Sequence, residues 1–291
     1  MCHCVIGRWW HLLNDELSVY RGEDYKISDY ITIHQPTLDE IERYGEQEYY
    51  SMIYQLTATP QTMKAQLWDI GIDYTEITPY KLFYQLLFQI YPKERTSIIF
   101  GDLDFQKFEL EQRKDNNEIV LIQEIKVSEH TQIDDDRTFI RKIIDKIFHK
   151  TFVSEKIEEH TEQVCFDEYT YNMIMDYLRS VHGIEKDERI PANESTKMIL
   201  IEDAKDEIEK NKNKEYHSQL KNLVSSMVNS EGFKYNHSQV WDMKINAFMD
   251  SVKRISKIKN ASMLLQSGYS GFGIDLKGID KKQLDWLGEL E

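Results

Sequence analysis

The sequence predicts an α+β protein, with a small antiparallel sheet plus helices in its N-terminal half and a mostly α-helical C-terminal half. Three observations carry that expectation. Short runs rich in β-branched and aromatic residues (25–34, 97–108 and 118–122) are confined to the first half. Threonine-led helix starts recur at Thr37, Thr59 and Thr78. The cleanest apolar periodicity, Trp241, Ile245, Phe248, Val252 and Ile255, steps by four, three, four and three, which is one face of a helix.

Residues 1–17 match no periodic pattern and read as an irregular tail. From Tyr25 to His34 polar and apolar residues alternate, predicting a strand that bends near Asp29 and ends at Pro36. Thr37-Leu-Asp-Glu40 is a capping box, so a helix should follow over 38–56. Thr59-Pro60 and Thr78-Pro79 each place an N-cap before a proline whose missing N–H costs nothing there, predicting two more helices. The runs Ser97–Phe100, Phe105–Phe108 and Glu118–Ile122 read as strands. Residues 128–136 read as a solvated loop, and a helix is expected over 137–149.

The later chain is helical in pattern. Tyr171, Ile174, Met175 and Leu178 share a helix closed by Gly183; Glu185–Ser195, with Pro191, reads as a linker. Further helices are expected over 200–216, 216–229 and 237–266, and Asp280-Lys-Lys-Gln283 opens a last short one. The domain expectation is an α+β domain over 18–150 and a helical domain over 151–291.

The chain has 291 residues, about two domains as a prior. Its net charge of −15 argues against a surface built as a whole for DNA or an anionic membrane. Charge is unevenly placed: residues 211–260 carry nine basic and four acidic residues, and residues 1–210 carry −18. Three cysteines are too few for a disulfide scaffold, and no apolar run nears the roughly 20 residues of a membrane span, so a cytoplasmic protein is expected.

Candidate chemistry is sparse. Cys2-His-Cys4 lacks the further ligands of a zinc site. Asp102 and Asp104, at i and i+2 after an apolar run, would face one side of an extended segment and could hold Mg²⁺ for phosphoryl transfer, or simply occupy a solvated turn. Gly268–Gly273 lacks the context of a phosphate-binding loop and reads as a compact turn with Tyr269 and Phe272 packed down. The nine histidines form no ligand pair, and His182, beside a helix stop, reads as a cation that helps the dipole. No cofactor and no metal is called for, and the expectation is a protein that binds partners rather than an enzyme. The seam Trp241, Ile245, Phe248, Val252 and Ile255 is the candidate partner-binding face, flanked by Lys253, Arg254 and Lys257.

Ile31-Thr-Ile-His-Gln-Pro-Thr37, running into a capped helix with Tyr44-Gly-Glu46, resembles the opening of tail assembly chaperones of phages that infect Gram-positive bacteria. Phe233-Lys-Tyr, Val240-Trp-Asp-Met243 and Phe248-Met-Asp-Ser251 resemble phage proteins encoded among head and tail genes. The resemblance covers 25–95 and 200–290. It implies a non-virion chaperone in the host cytoplasm that coats the tape measure protein, recruits tail tube subunits and can form homo-oligomers. It brings no catalytic residue. A structural virion component, such as a connector or baseplate protein, is the alternative.

Overall fold

The computed structural model describes residues 12–114, 117–132, 155–270 and 278–290, and it is α+β, with small antiparallel sheets in the first part and helices in the second. Among the described residues the chain forms two compact units. One is the continuous stretch 107–167; the other joins the residues before it to those after it.

The larger unit begins with helix α1 (Leu12–Arg21), so residues 12–17 are helical rather than irregular. Strands β1 (Tyr25–Lys26) and β2 (Thr32–Ile33) then pair antiparallel, Tyr25 opposite Ile33. The expected bent strand is thus a hairpin that folds back around Asp29, whose carboxylate meets the Lys26 ammonium at 2.9 Å. In α2 (Leu38–Tyr44) the capping box forms as read: the Thr37 hydroxyl accepts the Glu40 amide proton at 3.1 Å, and the Glu40 carboxylate accepts that of Thr37 at 2.6 Å. That bond holds the Glu40 carboxyl below its ordinary pKa. The helix expected over 38–56 is broken by Gly45 at φ 104°, and α3 (Glu46–Leu56) restarts on a new axis.

Helices α4 (Lys64–Asp69) and α5 (Pro79–Leu82) follow. The Thr78 hydroxyl caps α5 through the Lys81 amide, and the helix runs on through a π turn at Phe83–Leu87. Residues Lys93–Phe100 form helix α6, not a strand, and Phe105–Lys107 form a single 3-10 turn. A short β-branched run is ambiguous by itself, and here Ile99 and Phe100 are buried from a helix. Phe105 packs edge-on against Phe83 and Phe100 at 6.1 and 4.8 Å, and Phe83 lies 5.0 Å from Tyr171.

The 107–167 unit is a three-stranded antiparallel sheet in sequence order, β3 (Glu109–Gln112), β4 (Ile119–Gln132) and β5 (Glu155–Phe166). Register sets Glu109 opposite Ile122 and Leu121 opposite Phe166, burying Val120, Leu121, Val164 and Phe166. Residues 128–132, read as loop, continue β4. The helix expected over 137–149 lies outside the described residues. Because β5 pairs with β4, residues 155–166 belong with the sheet, and the division expected at 150 does not match the compact units.

The larger unit resumes with α7 (Glu168–His182), α8 (Glu194–Asn211), α9 (Gln219–Val228), α10 (Ile245–Tyr269) and α11 (Lys281–Leu284). Asn193, Ser218 and Asp280 cap α8, α9 and α11. The 185–195 stretch is irregular up to Asn193, the N-cap from which α8 begins, but both its flanks lie in one unit, and Thr59 donates to the carbonyl of Asp187 at 3.1 Å.

His182 departs from its expected charge. Its Nδ1 lies 2.7 Å from the Leu178 carbonyl and its Nε2 2.8 Å from the Tyr49 hydroxyl. The carbonyl requires Nδ1 to carry the proton, so neutral Nε2 accepts from Tyr49. Desolvation pushes the imidazole from 6.5 down to about 4. A depressed histidine pKa stabilises the fold fully above the unfolded-state value, and that contribution is lost as pH falls from about 6.5 to about 4. The loss should reach about 3 kcal/mol at most. Urea denaturation between pH 7 and pH 4 should show it, with a shallower decline in His182→Gln.

Candidate partner-binding surface

The segment that ends the chain is seated by backbone pairing. Asn236 accepts from the amides of Ser238 and Gln239 at 2.9 and 3.0 Å, turning the chain into one 3-10 turn, Val240–Asp242. Residues 243–245 then run extended beside Pro36–Leu38: Leu38 donates to the carbonyl of Met243 at 3.0 Å, and Ile245 to that of Pro36 at 2.9 Å. Only from Ile245 does α10 begin. The helix expected from 237 therefore starts eight residues later, and Trp241 lies on the 3-10 turn rather than on the helical seam.

The remaining seam residues divide. Ile245 and Phe248 are buried, 1% and 0% exposed, where α10 packs against α1 and α7. Val252 and Ile255 are half-buried. As folded, the first turns of α10 thus belong to the core, and what they offer another protein is limited to their rim.

The basic residues are also engaged. Arg254 Nη1 donates to the carbonyls of Trp286 and Gly288, both at 2.8 Å, and Lys257 Nζ donates to that of Glu289. They pin the last described residues along α10. Lys253 is half-buried, its chain end close to Gly183. Asp285 closes the following turn by accepting from the Leu287 and Gly288 amides.

Exposed apolar side chains lie further along. On α10 these are Ile258, Met263 and Tyr269, the last 81% exposed; on the pinned segment they are Trp286 and Leu287. Tyr269, expected to pack down in the glycine-rich turn, faces water, and residues 271–273 of that turn lie outside the described residues. Sequence reading missed this distal surface because its residues do not continue the four-three stepping.

Asp102 and Asp104 differ in setting. Asp102 is exposed and accepts from Lys93 Nζ at 2.9 Å, which holds its carboxyl below the usual range. Asp104 is buried and accepts the Gln106 amide at 3.1 Å. The run before them, Lys93–Phe100, is a helix rather than a strand. No cluster of three metal-ligating side chains occurs among the described residues, and Cys2 and Cys4 lie outside them.

A pairing that the sequence did not show is Asp24–His34, Nδ1 to Oδ2 at 2.5 Å, with the other Asp24 oxygen accepting the Gln35 amide at 3.1 Å. Gly101 passes so close to His34 Nε2 that a Cβ there would lie 2.6 Å away. Ten residues separate Asp24 from His34, so no local spacing signals the bond. The crevice beside His34 and His182 has room for about one water.

The two parts of α10 should respond differently to substitution. Phe248→Ala should lower unfolding free energy by about 3–5 kcal/mol. Met263→Asp should change it by less than about 0.5 kcal/mol. Thermal melts followed by circular dichroism would separate them.

A family model described as YomV second domain matches residues 210–291. That segment is similar to a phage-associated domain, and the match begins in the irregular stretch before α9 and takes in α9, α10 and α11. No curated protein and no solved structure matches the chain.

Proposed function

We infer that this phage-related protein acts in phage morphogenesis without catalysis, as a tail assembly chaperone that binds the tape measure protein and tail tube subunits. The observation that carries the reading is the family match over 210–291, the segment that also exposes Ile258, Met263, Tyr269, Trp286 and Leu287. An amphipathic helix flanked by apolar side chains is the kind of surface that takes a helical partner. No helix of the described residues is long and apolar enough to cross a membrane.

The test is co-expression with the products of neighbouring phage genes, affinity capture and mass spectrometry. The expected result is co-purification of a long helical protein or a tube subunit, reduced at least tenfold by Met263→Asp combined with Tyr269→Asp in a folded variant. Capture of neither partner removes the chaperone reading. Stoichiometric presence in purified particles would replace it with a structural virion role.

A further inference from the structure

Gln35, at the exit of β2, is buried, and its side-chain amide is fixed in orientation. Nε2 gives both of its protons to backbone carbonyls, those of Val19 and Glu23, at 2.8 and 2.7 Å. Exchanging the amide oxygen and nitrogen would set an oxygen against two carbonyls, so the assignment is unambiguous. The remaining atom, Oε1, is buried and receives no hydrogen bond from the protein among the described residues. Native proteins rarely keep a buried acceptor in that condition, because its lost hydration has to be replaced.

The Tyr177 hydroxyl, on α7, is the complementary group. It too is buried with no protein partner among the described residues, while its ring stacks on Tyr25 at 4.6 Å. Burial, and after it the neighbouring Asp24, raises its pKa, so the hydroxyl keeps its proton and is a donor. Gln35 and Tyr177 both line the crevice beside His34 and His182, which has room for about one water. An unanswered acceptor and an unanswered donor thus border the same small space.

The chemistry of the wall narrows the occupant. Both nitrogens of His182 are engaged, by the Leu178 carbonyl and the Tyr49 hydroxyl, and His34 Nδ1 is engaged by Asp24. No Asp, Glu, Lys or Arg lines the crevice, so a metal ion or other charged ligand would find no counter-charge there. Its size excludes an organic molecule. Tyr49 also lines it, and the hydroxyl oxygen, its proton given to His182, remains an acceptor.

We propose that one ordered water is a fixed part of this fold, accepting from the Tyr177 hydroxyl and donating to Gln35 Oε1, with the Tyr49 oxygen as its second acceptor. Three hydrogen bonds are the usual complement of a buried water. The water joins the exit of β2 to α3 and α7, and through the Gln35 amide to the exit of α1. This stands apart from the chaperone reading: partner capture neither supports nor removes it.

A high-resolution crystal structure of the full chain, together with urea denaturation of Tyr177→Phe, tests the site. The substitution keeps the ring that stacks on Tyr25 and removes only the hydroxyl. The expected results are a water peak within hydrogen-bond distance of both Gln35 Oε1 and Tyr177 Oη, and an unfolding equilibrium constant about fivefold higher in Tyr177→Phe. The sign of the second result is decisive, since deleting a buried hydroxyl that bonds nothing leaves stability unchanged or raises it. A parent structure without that water peak overturns the proposal, and so does a Tyr177→Phe variant as stable as the parent or more stable.

Discussion

Three distant parts of the larger unit are tied together by the segment Ile33–Thr37 and the first residue of α2. Its backbone and side chains reach three separate parts of the chain. The His34 amide donates to the carbonyl of Ile99 at the end of α6, at 2.7 Å. The Gln35 side-chain amide donates to the carbonyls of Val19 and Glu23 at 2.8 and 2.7 Å, closing the exit of α1. Pro36 and Leu38 pair with Ile245 and Met243 across more than two hundred residues of sequence. A buried backbone donor or acceptor left unpaired costs about 1–3 kcal/mol. The segment can therefore satisfy itself only when all three neighbours are in place, which makes their assembly cooperative.

That constraint also explains where α10 starts and what it can offer. Chain paired to Pro36–Leu38 has to stay extended through Lys244, so the helix cannot begin earlier. Ile245 and Phe248 enter the core as soon as it does. Burial of the first turns leaves the exposed character of the helix to its distal half. The segment similar to a phage-associated domain is thus integrated with the N-terminal helices rather than a separate body.

Local signals were legible in the sequence, and long-range ones were not. The Thr37–Glu40 box, the Thr78-Pro79 start and the Asp280 cap each depend on residues within one helical turn, and all three form. The break at Gly45 was missed because apolar spacing continues across it, although its φ of 104° reorients the chain. Ser97–Phe100 reads as a strand because a short β-branched run does not by itself distinguish strand from buried helix, and here Ile99 and Phe100 enter the core from α6. Asp24–His34 and the clamp from Arg254 to Trp286 and Gly288 join residues ten and more than thirty apart, distances at which spacing carries no geometry.

By itself the amino-acid order determined the α+β class, the helix starts at Thr37, Thr78 and Asp280, the uneven charge and the apolar stepping around Phe248. Each is a property of neighbouring residues or of composition. Tertiary structure decided which seam residues are core, that His182 is neutral, and that 107–167 rather than 18–150 forms a compact unit. Those outcomes turn on desolvation and on backbone pairing between distant residues, and both exist only once the chain has folded.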